Sequence, residues 1–276
     1  MSAEQPVVYG IDDLLRVMER LRDPEHGCPW DLEQDFRSIV PSTLEECYEL
    51  ANAIEQEDFH HVGEELGDVL FQVVFYAQLG REQGLFSFDA IVNTLVEKLV
   101  RRHPHVFAGG AIEGVVDAAA DVEQVNATWE AIKKQERSGR AQHGVLDDVP
   151  VALPALPRAQ KLQKRAAGVG FDWPDSAPVL EKIAEELDEL RQAMDSGDSA
   201  SVREEMGDLL FSCVNLCRHL RLDAETTLRD SAGKFERRFR LMEALAEAQG
   251  TNVDSLDEAA LDALWERAKR SDTRQK

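Results

Sequence analysis

The sequence carries one acidic pattern twice, and this duplication limits the folds that the chain can adopt. The two copies are Glu45, Glu46, Glu49, Glu65 and Asp68 in the first half and Glu185, Glu186, Glu189, Glu205 and Asp208 in the second. Residues three apart lie on one face of an α-helix, so each copy predicts two helix faces that carry paired carboxylates. Glu57 and Gly197 are the midpoints of the two copies, which predicts a turn there and an antiparallel helix hairpin in each half.

A hairpin of this kind would bring four carboxylates together, and their mutual repulsion favours bound cations. Two divalent ions would neutralise the four charges, and a ligand set of oxygen atoms alone suits Mg²⁺, with Mn²⁺ as a possible substitute. We therefore predict a metal site at Glu186, Glu189, Glu205 and Asp208, and a second possible site at Glu46, Glu49, Glu65 and Asp68. The alternative is a solvated acidic surface in a chain with 53 acidic residues, but identical spacing in both halves argues against it.

The length and composition predict an all-α protein built as a tandem repeat of two helical bundles. Hydrophobic residues make up 43% of the 276 residues, aromatic residues only 7%, and alternating β-branched runs are lacking. The expected domains are residues 1–110 and 155–276, with a helix and linker over 111–154.

The charge excludes one broad class of partner. A net charge of −22 argues against binding of DNA or RNA through phosphates, because that requires a basic surface.

The sequence shows neither a signal peptide nor a long apolar segment, so we expect no membrane association and a cytoplasmic location. The spacing of the cysteines indicates reduced thiols rather than a disulfide framework or a zinc site.

Basic residues on three predicted helices are candidates for binding phosphate. Lys234, Arg237 and Arg238 fall on one helix face, and their pattern repeats that of Lys98, Arg101 and Arg102. The other candidates are Lys161, Lys164 and Arg165 on the opening helix of the second half, and Lys269 beside Trp265, which could stack on a base. Surface ion pairs and a core tryptophan are the alternative interpretations of the same residues.

Together these motifs resemble the all-α MazG nucleoside triphosphate pyrophosphohydrolases, which are relatives of the dimeric dUTPases. The resemblance covers nearly the whole chain and includes both acidic motifs, Gly-Cys-Pro-Trp-Asp at 27–31, Arg-Arg-His-Pro-His-Val-Phe at 101–107 and Gly-Phe-Asp-Trp at 170–173. It implies two MazG-like helical bundles, a homodimer, and Mg²⁺-dependent cleavage of nucleoside triphosphates between the α and β phosphates, which releases a monophosphate and pyrophosphate.

The resemblance also suggests roles for individual residues. Glu186, Glu189, Glu205 and Asp208 would hold the metal, and either Glu185 or one of these ligands would accept a proton from the attacking water. Lys234, Arg237, Arg238 and Lys269 would neutralise the triphosphate, with help from Lys161, Lys164 or Arg165. Asn215 would contact the sugar or base, and the first half has Phe75 at that position. The resemblance also implies that the domain at 155–276 has the main catalytic role, so we expect the first half to be weaker, differently selective or mainly structural.

Two alternatives stay open on the sequence alone. One is a narrower hydrolase of dUTP, dCTP, damaged nucleotides or guanosine tetraphosphate alarmones. The other is a helical scaffold that binds metal and nucleotide without turnover.

Overall fold

The computed structural model describes residues 8–114, 121–138 and 144–273, and within those ranges the chain forms helices and no strands. It divides into two compact units, Met1–Glu136 and Arg137–Lys276. The predicted all-α tandem repeat is confirmed. The boundary between the units falls inside the segment 111–154 that we expected to hold a helix and a linker, and the domain limits themselves stay a prediction.

The first unit is built on a helix hairpin with a shorter helix across it. Its helices are α1 (Ile11–Leu21), α2 (Pro29–Glu33), α3 (Val40–Glu55), α4 (Phe59–Glu82), α5 (Phe88–Arg102) and α6 (Val122–Ser138), the last of which runs to the boundary. Helices α3 and α4 form the hairpin, and α1 packs against α4. Met18, Val74 and Phe75 are fully buried in the core between them, together with Ile39 and Leu79.

Two prolines shape the approach to the hairpin of the first unit. The loop after α1 ends in the short helix α2, because Pro29 occupies a first-turn position where its missing N–H costs nothing. Helix α3 starts at Val40, also with a proline in its first turn. Inside α3, Thr43 Oγ1 donates to the Ile39 carbonyl and lies 3.0 Å from the Tyr76 hydroxyl.

The second unit repeats the hairpin and adds a longer helical pair. Its helices are α7 (Ala155–Ala167), α8 (Ser176–Ser196), α9 (Ser199–His219), α10 (Ala224–Glu247) and α11 (Glu258–Thr273). Helices α8 and α9 form the hairpin, α7 packs against α9 and α10, and α10 packs mainly against α11. Met242 and Ala246 on α10 meet Leu264 and Ala268 on α11 in a separate core.

The turns of both hairpins lie where the acidic spacing predicts them. Gly197 ends α8 with a left-handed φ of 72°, and Glu57 adopts a left-handed φ of 56° between α3 and α4. Asp58 and Asp198 follow and cap the returning helices by accepting hydrogen bonds from the His61 and Ala200 amides. The hairpin register therefore follows directly from the sequence.

None of the helices that the structure describes is long and apolar enough to cross a membrane. The expected cytoplasmic location stays a prediction.

Candidate active site

The hairpin of the second unit gathers acidic side chains from both of its helices. Ligand oxygens of Glu186 on α8 and of Glu205 and Asp208 on α9 all lie within 4.8 Å of one another. Glu186 is buried, and its neighbours are half-buried or exposed. Desolvation, followed by the charges of Glu189 and Glu186, raises the pKa of Glu205. Glu189 therefore contributes to the field of this cluster although it is not among the three closest ligands.

The first unit holds an equivalent cluster. Glu46, Glu49 and Glu65 offer carboxylate oxygens within 4.8 Å of one another. Desolvation, followed by the charges of Asp68 and Glu49, raises the pKa of Glu46. Glu65 is buried, and none of the described residues gives its Oε2 a hydrogen bond. Three of the four predicted ligands thus converge in each unit, while Asp68 and Glu189 lie outside the two groups of three.

These residues fit a hard divalent cation. All the donors are carboxylate oxygens, which Mg²⁺ and Mn²⁺ accept and zinc or copper sites usually supplement with His or Cys. Desolvation first, and the charges of neighbouring carboxylates second, raise the pKa values of Glu46 and Glu205, and a bound cation would offset both effects. The buried and unpartnered oxygen of Glu65 is a second sign, because leaving it without a partner costs free energy that a cation would recover.

Lys182 lies beside the acidic cluster of the second unit, although it was not among the residues predicted from the sequence. Its Nζ lies 2.8 Å from Glu185 Oε1 and 2.9 Å from Glu186 Oε1. The hydrogen bonds to Glu185 and Glu186 raise the pKa of Lys182, so its charge is firmly held beside the cluster. Its position four residues before Glu186 was the available signal, since such pairs meet on one helix face. The first unit has Ser42 at the equivalent position.

Two of the predicted phosphate-binding residues of α10, Arg237 and Arg238, pair with α11 rather than with the acidic cluster. Arg238 Nε donates to Asp272 at 2.8 Å, and Arg237 Nε lies 3.9 Å from the same carboxylate. Arg101 and Arg102 make the same kind of pair with Glu136 in the first unit. The repeated basic motif therefore ties two helices together in each unit, and Lys234 is exposed on the same helix.

The predicted substrate-binding residues of α11 and α7 differ in their exposure and in their ion pairs. Trp265 packs on the edge of the α10–α11 core, with its ring centroid 5.4 Å from that of Phe235. Lys269 forms an ion pair with Glu266 one turn away. On α7, Arg165 pairs with Asp148, Lys161 is half-buried and Lys164 is exposed. A role for these side chains in substrate binding stays a prediction.

Asn215 is buried two turns beyond Asp208 on α9. Its Oδ1 accepts a hydrogen bond of 2.9 Å from Arg218 Nε. Phe75, its counterpart in the first unit, is fully buried in the core. The contrast between a polar and an apolar residue, expected from the sequence, is therefore also a contrast in packing.

The fold and these clusters define an all-α tandem protein with one candidate divalent-metal site in each repeat. The model of the MazG nucleotide pyrophosphohydrolase domain matches residues 34–107 and 176–240, which contain the two acidic hairpins. The chain belongs to the MazG family, as the resemblance in the sequence motifs indicates.

Similar proteins from three bacteria extend over almost the whole chain. A nucleoside triphosphate pyrophosphohydrolase of Escherichia coli (strain K12) is 51% identical over 266 residues, which cover 95% of this chain and 98% of that protein. A protein of Thermotoga maritima, named nucleoside triphosphate pyrophosphohydrolase/pyrophosphatase MazG, is 44% identical over 95% of this chain and 96% of its own length. The uncharacterized protein YabN of Bacillus subtilis is 40% identical over 99% of this chain and 54% of its own length.

Proposed function

We propose that this protein hydrolyses nucleoside triphosphates between the α and β phosphates, releasing a nucleoside monophosphate and pyrophosphate, and that the second unit carries most of the activity. The observation that carries the proposal is the cluster of Glu186, Glu205 and Asp208, with ligand oxygens within 4.8 Å of one another and Lys182 beside it. The names of the relatives from Escherichia coli and Thermotoga maritima support the same reaction.

In this proposal the cluster binds Mg²⁺, for which Mn²⁺ could substitute. Glu186, Glu189, Glu205 and Asp208 would hold the ion or ions, which when bound would neutralise phosphate oxygens and make phosphorus more electrophilic. The first unit would bind metal in the same way through Glu46, Glu49, Glu65 and Asp68.

The side chains around the cluster would orient the triphosphate and handle the proton. Lys182 lies at the edge of the cluster, where its charge would attract a phosphate oxygen as well as the carboxylates. Arg237 is exposed and 3.9 Å from Asp272, so it can turn to a phosphate without losing a short ion pair, whereas Arg238 is held at 2.8 Å. The proton acceptor would be either the exposed Glu185 or a carboxylate of the cluster.

Phosphorus NMR of the reaction products tests this proposal. Wild-type protein with Mg²⁺ should convert members of a panel of triphosphates, including dUTP and dCTP, to monophosphate and pyrophosphate. Glu189→Ala should abolish most of this turnover, and the matched variant Glu49→Ala should retain most of it. Diphosphate and orthophosphate as products would show that the bond between the β and γ phosphates is cleaved instead. Equal losses in both variants would refute the assignment of the activity to the second unit. Binding without turnover would favour a non-catalytic scaffold.

We also propose that the protein is a homodimer. Several large apolar side chains on the α8–α9 hairpin are exposed in one chain, among them Leu180 at 54%, Met194 at 63% and Leu210 at 54%. Large contiguous apolar patches mark interaction surfaces, and in this proposal these side chains belong to one that a second copy of the chain covers. Light scattering of the purified protein should give twice the mass of one chain, and a monomer at micromolar concentration would contradict the proposal.

A further inference from the structure

Two histidines lie in the first turn of α4, beside the acidic cluster of the first unit. They are His60 and His61, which follow the capping residue Asp58 and Phe59. The His61 amide donates to the Asp58 carboxylate at 3.2 Å. This capping bond holds the first turn of α4 and therefore fixes the direction in which the two imidazoles leave the helix.

Helix periodicity places His61 on the same face as two predicted ligands of the cluster. His61, Glu65 and Asp68 follow one another at intervals of four and three residues. His61 Nε2 lies 3.5 Å from Glu65 Oε1. Two ligand atoms that share one metal ion lie about 3 to 3.5 Å apart, since each bond to the metal is about 2.0 to 2.2 Å long. The imidazole and the carboxylate are therefore placed as a chelating pair.

Glu65 links His61 to the rest of the cluster. It is 8% exposed, and its ligand oxygen lies within 4.8 Å of those of Glu46 and Glu49. One of its oxygens faces His61, and no described residue donates a hydrogen bond to the other, Oε2. A buried carboxylate oxygen without a partner is costly, and a cation held between Glu65 and its neighbours would satisfy it.

The His61 side chain is free to turn towards such a cation. It is 58% exposed, and its other carboxylate neighbour, Glu64, lies 4.0 Å away. His61 stands outside the group formed by Glu46, Glu49 and Glu65. An exposed ring changes rotamer at little cost, so Nε2 can approach this group while it stays beside Glu65.

The second unit carries a different residue at the same helix position. Ser201 lies four residues before Glu205, as His61 lies four before Glu65, and Ala200 corresponds to His60. The Ser201 hydroxyl donates to Asp198 at 2.7 Å in the cap of α9. The acidic cluster of the second unit is therefore flanked by a hydroxyl that is already bonded, and that of the first unit by an imidazole.

The type of donor atom decides which divalent ion a site prefers. Mg²⁺ binds oxygen ligands and keeps several waters. Transition-metal ions such as Mn²⁺, Co²⁺ and Zn²⁺ also accept an imidazole nitrogen. An added imidazole therefore strengthens the binding of a transition-metal ion without a comparable gain for Mg²⁺.

We propose that His61 is a metal ligand of the first unit and that, with the carboxylates of Glu46, Glu49 and Glu65, it makes a mixed nitrogen and oxygen site that prefers a transition-metal ion to Mg²⁺. The carboxylate cluster of the second unit lacks this preference, so the two units differ in the metal that they retain. This inference rests on the metal binding in the proposed function and does not depend on hydrolysis.

Pulsed EPR of bound Mn²⁺ tests whether an imidazole nitrogen is a ligand. The measurement uses full-length Glu186→Ala protein without a histidine tag, so that the second cluster is weakened and Mn²⁺ occupies the first. This protein with one equivalent of Mn²⁺ should show the nitrogen-14 modulation of a coordinated imidazole. His61→Ala in the same background should abolish the modulation.

His60→Ala is the matched control. The His60 side chain is 87% exposed, and its carboxylate neighbour is Glu64 at 3.7 Å rather than a residue of the cluster. The modulation should therefore persist in this variant. No modulation in the Glu186→Ala protein, its survival in His61→Ala, or an equal loss in His60→Ala would overturn the proposal, whatever the outcome for hydrolysis.

The reverse substitution gives a gain of signal that a folding defect cannot imitate. Ser201→His places an imidazole four residues before Glu205, at the position that His61 has in the first unit. In Glu46→Ala protein, in which the first cluster is weakened, Ser201→His should introduce the imidazole modulation into the Mn²⁺ signal of the second unit. Absence of the modulation there would refute the argument from helix position.

Calorimetric titration measures the preference between metals. In the Glu186→Ala background, His61→Ala should weaken Co²⁺ binding by at least about tenfold, since even the loss of a residue that only supports a metal ligand has an effect of that size. Mg²⁺ binding should stay within about twofold. Equal losses for both ions would show that His61 only supports the cluster and would overturn the proposal. A protein that shows this preference but cleaves no triphosphate would refute the proposed hydrolysis and leave His61 as a ligand.

Discussion

At the scale of single residues, the structure adds Lys182 to the candidate active site, which the sequence alone did not. It bonds to Glu185 and Glu186 at 2.8 and 2.9 Å, one helix turn before Glu186, where its charge offsets the carboxylates and would attract a phosphate oxygen. We expect Lys182→Met to lower kcat/KM for a nucleoside triphosphate by about 10- to 100-fold at saturating Mg²⁺, as is usual for the loss of a charge-assisted contact.

Arg191→Met is the control for Lys182. Arg191 also lies on α8 and pairs with a carboxylate three residues away, Asp188, at 2.6 Å, but both side chains are 65% exposed. Its replacement should leave kcat/KM within about twofold, since exposed pairs contribute little. Equal losses in the two variants would mean that Lys182 acts only through the general charge of the helix.

We expect the thermal stability of the protein to depend on pH through Glu136. Hydrogen bonds from Arg102 and Arg101 lower the pKa of Glu136 to about 2. A lowered pKa in the folded state stabilises the protein above the ordinary pKa of 4.5, and this contribution is lost as the pH falls towards 2. Glu136→Gln should therefore lower Tm by about 2 to 4 °C at pH 7, the effect of about 1 kcal/mol, and by much less near pH 2.

Thermal unfolding followed by circular dichroism at several pH values would measure this difference. Glu97→Gln is the control on α5, since Glu97 accepts a hydrogen bond from Asn93 on its own helix at 3.0 Å. A Tm difference between wild type and Glu136→Gln that stays constant from pH 7 to pH 2 would contradict the prediction.

At the scale of elements, the turn of each hairpin sets the register of the acidic faces. Gly197 has a φ of 72°, and a Cβ added there would meet no atom within 4 Å, so only the backbone conformation disfavours a side chain. Gly197→Ala should destabilise the second unit by about 1 kcal/mol, because left-handed φ is unfavourable for residues with a Cβ.

Gly207→Ala is the matched change with the opposite expectation. Gly207 lies inside α9, and its added Cβ would also meet no atom within 4 Å. Alanine should stabilise this helix by about 0.5 to 1 kcal/mol. Chemical unfolding of both variants measures the two effects, and the same sign for both would contradict the explanation from backbone conformation.

At the scale of the whole molecule, we expect the two acidic clusters to make the stability of the fold depend on divalent metal. Each unit holds carboxylates within 4.8 Å of one another, and cations that bind only the folded state raise its stability. Mg²⁺ or Mn²⁺ added to protein stripped with EDTA should raise Tm by several degrees. Glu46→Ala and Glu186→Ala should each remove part of the rise, and the double variant should remove nearly all of it; an unchanged rise in the double variant would place metal binding elsewhere.

The sequence by itself determined the hairpins and their acidic faces. Helix periodicity places Glu46 with Glu49, and Glu205 with Asp208, on one face, and the equal spacing to Glu57 and Gly197 sets the turn. These features depend on local backbone geometry, which a single segment of sequence encodes. The family followed from the same local motifs.

The ion-pair partners of the long side chains and the positions of the cavities depend on the tertiary structure. Arg237 and Arg238 meet Asp272 on another helix. Gln163 Oε1 has no hydrogen-bond partner among the described residues and lies beside a cavity that α7 and α9 enclose. Side chains of this length reach several neighbours, so their contacts depend on how helices distant in sequence pack. The same packing distinguishes Asn215 from Phe75, because the sequence gives the change in polarity while the fold places Asn215 at a cavity and Phe75 in the apolar core.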